Sequence, residues 1–409
     1  MDLTNRLLAR VDSYRQAMID AQRALVATPA LGPDNGGRGE MAKALLVEGW
    51  LADLGLELIR VDAPDDRVPD GVRPNLVGRL AGGEGPAVWV LAHLDVVPPG
   101  ELSLWGGDPW TLRVDGDRLH GRGVQDNHQG LVMGLFAVRA LLDEGLAPPG
   151  PVGLIAVSDE ETGSGYGLDH VLQARRDLFD SRDLIIVPDA GEPDGSLIEV
   201  AEKSILWLKV EVTGQQVHAS TPDKGVNALY AAARMMVAVR ELAARFPQTD
   251  PLFTLPRSSF EPTKKEAGVE NINTVPGRDV FYVDCRVLPA IPLEEVFAAL
   301  TAECERIAGE EGASVVLTPV QWLQSPPATP ADAPVVEALV RAVARVHGIK
   351  AAPGGIGGGT VAAMFRQAGL PAAVWMSCPP TAHMPDEYAL ISDHLKDTKA
   401  LALVMAGLA

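Results

Sequence analysis

The run VGLIAV (residues 152–157) passes without a break into SDEETGSGYG (158–167). Six apolar residues bounded by turn formers predict a buried strand, yet this strand leads directly into Asp159, Glu160 and Glu161. Acids at the rim of a core are costly unless positive charge meets them. Taken alone, the stretch also reads as a solvated loop with its acids in water. The rest of the chain decides between the two.

Outward from this strand the pattern alternates. NLVGRL (75–80) and AVWVLAHLD (87–95) read as strands joined by the turn AGGEGP, Gln129 to Leu142 as a helix, and DLIIVPDA (183–190) as a further strand. Helical patterns up to about Ala27 and from about Glu40 to Leu54 precede them. This alternation predicts an α/β fold whose mostly parallel sheet is covered by helices on both faces. Near Ile205 the grammar changes: ILWLKVEVTG, NALYAAARMMVAVRELAARF, DVFYVDCRV, LEEVFAALTAECERIAGEEG and SVVLTPVQWL read as β-α-β-α-β, with NINTV a further short strand. That is a compact α+β unit. After SPPATPADAP the first pattern resumes, with a helix near Val335 to His347 and the strand PAAVWMS. The expected organisation is one domain split into residues 1–204 and 325–409, with an α+β domain inserted over 205–324.

The 409 residues exceed one ordinary core, and 47% hydrophobic content argues for a globular chain. A net charge of -19 speaks against a nucleic-acid or anionic-membrane partner, both of which are bound through basic surfaces. The three cysteines include no CxxC pair, which fits a reducing compartment. The charged N-terminus lacks the pattern of a signal peptide, and no apolar stretch reaches the roughly 18 residues of a membrane span. The expected location is the cytoplasm.

VLAHLDVV places His93 and Asp95 two apart on a strand, so both side chains leave one face. A metal-bound imidazole needs a partner for its second nitrogen, and a nearby acid supplies one. HGRGVQDNHQG sets Asp126 in a glycine-punctuated loop before a helix, where Asp126 or Asn127 also suits a cap. VPDAGEP sets Asp189 at a strand end, and TAHMPDEY carries His383 after the last core strand. In open α/β sheets such strand ends form the ligand crevice. Three carboxylates, Asp126, Glu161 and Asp189, together with one hydroxide balance two divalent zinc ions, and His93 and His383 add neutral donors. Mixed His and carboxylate ligands suit zinc, with cobalt or manganese as substitutes. Glu160 is left over as an acid placed to take a proton from water.

In order and wording these motifs resemble the co-catalytic di-zinc peptidase and deacylase family that includes aminoacylase, carboxypeptidase G, bacterial dipeptidases, acetylornithine deacetylase and succinyl-diaminopimelate desuccinylase. The resemblance runs from LAHLDVVPPG through GRGVQDNHQG, SDEETGSGYG and VHASTPDKGVNA to GGGTVAAMFRQAGLPAAVW and AHMPDEY. It implies one zinc on His93 and Asp189, the other on Glu161 and His383, with Asp126 bridging, Asp95 orienting His93 and Glu160 as general base. It further implies that the inserted domain is a lid that forms a homodimer, and that His218 polarises the scissile carbonyl. Asn273 and Arg286 resemble lid residues that bind the substrate's carbonyl or carboxylate, and Gly358, Gly359 and Thr360 resemble a glycine-rich substrate loop.

Three departures stand out. His128 replaces a frequent lysine, Val361 replaces a frequent aspartate, and Glu192 competes with Asp189 as the strand-end ligand. Asp189 directly ends the strand and is preferred; aspartate there resembles members that cut peptides with a free amino terminus, glutamate resembles deacylases. The expected activity is hydrolysis of the amide bond in small peptides, of dipeptidase or aminopeptidase type, or alternatively in N-acyl amino acids, as by a succinyl-diaminopimelate desuccinylase. An inactive metal-holding binding protein is a more distant alternative, against which the intact Glu160 speaks.

Overall fold

The computed structural model describes residues 2–409. Its principal strands are β1 (Glu57–Arg60), β2 (Leu76–Leu80), β3 (Val88–His93), β4 (Val152–Val157), β5 (Leu184–Val187), β6 (Leu197–Glu202), β7 (Ser204–Thr213), β8 (Ser259–Lys265), β9 (Arg278–Val287), β10 (Ser314–Leu323), β11 (Ala352–Ile356) and β12 (Ala372–Val374). The longer helices are α1 (Leu3–Asp12), α2 (Arg15–Val26), α3 (Met41–Asp53), α4 (His128–Asp143), α5 (Ala228–Glu241), α6 (Leu293–Glu311), α7 (Pro334–His347) and α8 (Ile391–Met405).

The chain divides into two compact units. The first comprises the chain up to Val200 with Thr329–Gly354 and Thr360–Ala409; the second comprises Ala201–Ala328 with Gly355–Gly359. The inserted unit is thus four residues wider at each end than the expected 205–324 and takes in the glycine run. Local hydrogen bonds explain the latter: Gly355 N–H donates to Leu252 O at 2.7 Å and Lys203 N–H to Ile356 O at 3.1 Å.

In the first unit an eight-stranded sheet has the order β1-β2-β4-β3-β5-β12-β6-β11. Its centre, β4, β3, β5 and β12, is parallel, while β1, β2 and β6 pair antiparallel with their neighbours. The fold is α/β, as the alternation predicts. Every residue of β3 and β4 is buried, as strands covered on both faces require. Trp89, Leu91, Ile155 and Val157 pack on one side with Phe179 and Phe365. On the other, Val90 and Leu154 line a small void with Leu51 of α3 and Leu135 of α4. Trp89 keeps its indole N–H satisfied by donating to Asp183 at 2.9 Å.

The predicted first helix is two helices. Tyr14 interrupts it, is buried against Phe136 with ring centroids 5.4 Å apart, and donates from Oη to Asp143 at 2.6 Å. The second unit carries an antiparallel sheet, β8-β9-β7-β10, with α5 and α6 contributing to one apolar core. Strand β8 lacks an alternating signature because it is an edge: its register against β9 shifts at Pro262, a residue that sheets accept at edges and bulges.

Candidate active site

The four parallel strands deliver their carboxyl ends to one rim of the sheet. His93 is the last residue of β3, in register with Val157 of β4, and Val187 of β5 is in register with Val374 of β12. Each strand therefore releases its following loop at the same edge, where ligand crevices form. Asp126 reaches that edge from the turn that opens α4.

There the side chains meet in two groups. His93, Asp126 and Asp189 form one; Asp126, Glu161 and His383 form the other; within each, the candidate donor atoms lie within 4.8 Å of one another. His93 Nε2 is 2.8 Å from Asp126 Oδ1 and 3.5 Å from Asp189 Oδ1. His383 Nε2 is 3.2 Å from Asp126 Oδ2 and 3.0 Å from Glu161 Oε2. Asp126 thus faces both groups with opposite oxygens of one carboxylate. Glu192 is exposed and belongs to neither group.

The acids of the SDEE segment separate. Asp159 turns inward toward the fully buried Arg73, 3.4 Å away, and accepts the N–H of Tyr166 at 3.0 Å. Arg73 is also paired with Glu40. Glu161 faces His383, and its Oε1 is buried with no hydrogen-bond partner. Burial, with Asp189 and Glu161 close by, holds the Glu160 carboxyl well above the usual carboxylate range.

Asp95 plays its part differently from the expected carboxylate contact. His93 Nδ1 lies 2.9 Å from the backbone carbonyl of Asp95 and 3.5 Å from its carboxylate. The carboxylate instead accepts the N–H of Glu160 at 3.1 Å and of Glu161 at 3.0 Å. One residue therefore fixes the imidazole of one group and the backbone of the other.

Electrostatically the site calls for cations. Burial disfavours the imidazolium of His93, but Asp126, Asp189 and Asp95 outweigh it and hold its pKa well above the usual range. Asp126 and Glu161 push His383 up to about 10. A donor set of imidazole nitrogens and carboxylate oxygens, one of them shared and one oxygen without a protein partner, fits two divalent ions. The sequence does not mark two supporting residues as part of the site: Asn127 figures there only as a possible cap and Lys43 not at all. Asn127 donates from Nδ2 to Pro188 O at 3.0 Å and also contacts Asp189. Lys43 of α3 buries its ammonium 2.6 Å from His128 Nε2, and burial pushes its pKa down to about 7.

In the second unit, His218 and Asn273 come together. Val217–His218 pairs with Thr274–Val275, and the Asn273 amide stands 3.5 Å from His218 Nε2. The Nδ1 of His218 accepts the N–H of Ser220 at 3.1 Å. Arg286 binds Asp284 at 2.8 and 3.0 Å and donates from Nη1 to Gly357 O at 2.9 Å. A side chain at Gly358 or Gly359 would meet nothing closer than 3.8 Å, so crowding within this structure does not require glycine there. Thr360, in the first unit, accepts the N–H of Ala362 at 3.2 Å from the turn preceding the short helix Ala362–Gln367.

Comparison with known proteins identifies the family. Residues 89–407 match the model of peptidase family M20/M25/M40. A metallohydrolase of Methanococcus maripaludis is 34% identical over 400 residues, covering 92% of this chain and 96% of the relative. Succinyl-diaminopimelate desuccinylase of Gluconobacter oxydans is 31% identical over 266 residues, covering 64% of this chain and 66% of that enzyme. A tripeptidase from Staphylococcus aureus has the same fold, with a TM-score of 0.75 at 19% identity over 96% of this chain and 98% of that one. With two acid and imidazole groups at the strand ends and a family match across most of its length, the chain belongs to peptidase family M20/M25/M40 and is a metal-dependent hydrolase.

Proposed function

We propose that the chain hydrolyses the amide bond of a small peptide carrying a free amino terminus, using two zinc ions. The observation that carries this reading is the shared carboxylate of Asp126, placed between the His93/Asp189 and Glu161/His383 groups. Those five residues are assigned as the ligands. When bound, the ions supply Lewis acidity toward the carbonyl and lower the pKa of water. Glu160 takes the proton of the attacking water and returns it to the leaving amine. Asp95 holds the Glu160 and Glu161 backbone in place. His218, whose Nδ1 accepts the N–H of Ser220, presents Nε2–H as a hydrogen-bond donor to the carbonyl oxygen as negative charge develops. Asn273, beside His218, and Arg286 bind the substrate's carbonyl or carboxylate, and the backbone of Gly358, Gly359 and Thr360 approaches the substrate.

Asp189, rather than Glu192, stands with His93, which favours the peptidase reading. The desuccinylase similarity supports a second reading, removal of an acyl group from an N-acyl amino acid. We further propose that two copies associate through the second unit. The three buried, unpaired cysteines support a reducing compartment such as the cytoplasm, and no helix among the described residues is long and apolar enough to cross a membrane.

The deciding experiment is metal analysis combined with a panel of free dipeptides and tripeptides and N-acyl amino acids. Two zinc ions per chain with preferential cleavage of free-amine peptides supports the proposal. Preference for blocked amines transfers it to the deacylase reading, and no cleavage of either class with metal bound overturns both.

A further inference from the structure

Four residues beyond His383 the chain places an acid that serves a different loop. Glu387 is 0% exposed, and its carboxylate accepts four hydrogen bonds. One comes from Arg122 Nη1 at 2.7 Å, the others from the backbone N–H groups of Gly123 at 3.0 Å, Gln125 at 3.0 Å and Asp126 at 3.2 Å. Its own backbone carbonyl accepts from Gly121 N–H at 3.2 Å. Arg122 is almost as buried, and its guanidinium lies 5.2 Å from the centre of the Trp105 ring.

The loop from Gly121 to Asp126 belongs to neither a strand nor a helix, so its amides have no ladder to satisfy them. Glu387 performs that task for three of them at once. The loop's last residue is the carboxylate shared by the two groups, and the segment bearing Glu387 also bears His383. A single buried carboxylate therefore ties Asp126 to the segment that supplies its partner imidazole.

We propose that Glu387 is a positioning residue of the metal centre, holding the Asp126 backbone in register with His383 so that both groups keep their common corner. This rests on the reading of Asp126 and His383 as ligands. A purely structural role is the competing account, because a buried ion pair that loses one partner destabilises any fold.

Two variants separate the accounts: Glu387→Gln, and Glu387→Gln combined with Arg122→Met, which removes both charges. Each is stripped with a chelator, melted without metal, and titrated with zinc against a chromophoric competitor. The expected result is about a 10- to 100-fold loss of zinc affinity in both variants. The double variant is expected to recover much of the single variant's lost melting temperature without recovering affinity. Affinity that returns together with melting temperature, or that never falls, overturns the inference while leaving the ligand assignment intact. A wild-type chain that takes up no zinc in the same titration overturns the ligand assignment and this inference with it.

Discussion

Asp95 and Glu161 are joined side chain to backbone: the Asp95 carboxylate accepts the Glu161 N–H at 3.0 Å, and its other oxygen accepts the N–H of Glu160 at 3.1 Å. An acid two residues beyond His93 thereby sets the turn that bears Glu161. Asp95→Asn puts an amide NH2 opposite one of these N–H groups, so one donor loses its acceptor. About a 10- to 100-fold loss of metal affinity is expected, with a fall in kcat. Calorimetric titration of zinc into the stripped protein, alongside steady-state kinetics, checks both; affinity and kcat within twofold of wild type would refute the role.

Glu160 stands close to the proposed ligands Asp189, His93 and Glu161, yet belongs to neither candidate group. If it only moves protons, Glu160→Ala retains the full metal complement while turnover falls by about 10²- to 10⁴-fold. Elemental analysis and kcat on the same preparation decide the matter. Loss of metal in step with activity would make Glu160 a ligand instead of a base.

The strands and the acids at their ends were legible because both obey strong rules. An apolar run such as Val152–Val157 reads as a buried strand, and acids at the rim of a core demand compensation, which led from Asp126, Glu161 and Asp189 to the expectation of two cations, with Glu160 left over. The supporting residues were not legible. Arg73 and Lys43 lie in a turn-rich segment and on a helix whose pattern looks ordinary, and only the folded chain shows that their charges are buried against Asp159 and His128. Nothing in AHMPDEY singles out Glu387, since hydrogen bonds to backbone amides leave no trace in residue order. The break between α1 and α2 was hidden for a similar reason: Tyr14 continues a helical pattern locally, and its contacts to Phe136 and Asp143 lie more than a hundred residues away.

His218 is the one proposed catalytic group on the second unit. Loss of a preorganised oxyanion donor costs about 10²- to 10³-fold in kcat, which is the expectation for His218→Ala, with metal content unchanged. Were the group to act across a dimer, mixing His218→Ala with Glu160→Ala would restore part of the activity, since a mixed pair holds one complete site. Light scattering supplies the companion test: a strict monomer, or no gain on mixing, would restrict His218 to its own chain.

Acid stability should be limited in part by a histidine that belongs to neither candidate metal group. His394 is fully buried in α8, with Nδ1 2.9 Å from Leu390 O and Nε2 2.7 Å from the Gln22 amide. Nδ1–H donates to the carbonyl and Nε2 accepts from the amide, so the neutral ring is satisfied at both nitrogens and a second proton displaces a donor. Burial accordingly pushes its pKa down to about 4. Above the unfolded value of about 6.5 neither state is protonated and no penalty arises. As pH falls from 6.5 toward 4, the unfolded chain takes up the proton that the folded chain refuses, so stability declines, by about 3 kcal/mol in all. His394→Gln lacks this titration. The variant is expected to be less stable than wild type at pH 7.5, where the native ring packs and bonds well, with the gap narrowing steadily as pH drops to 4.5. Denaturant melts at several pH values measure the gap directly, and a constant difference across that range would show that His394 is not the group responsible.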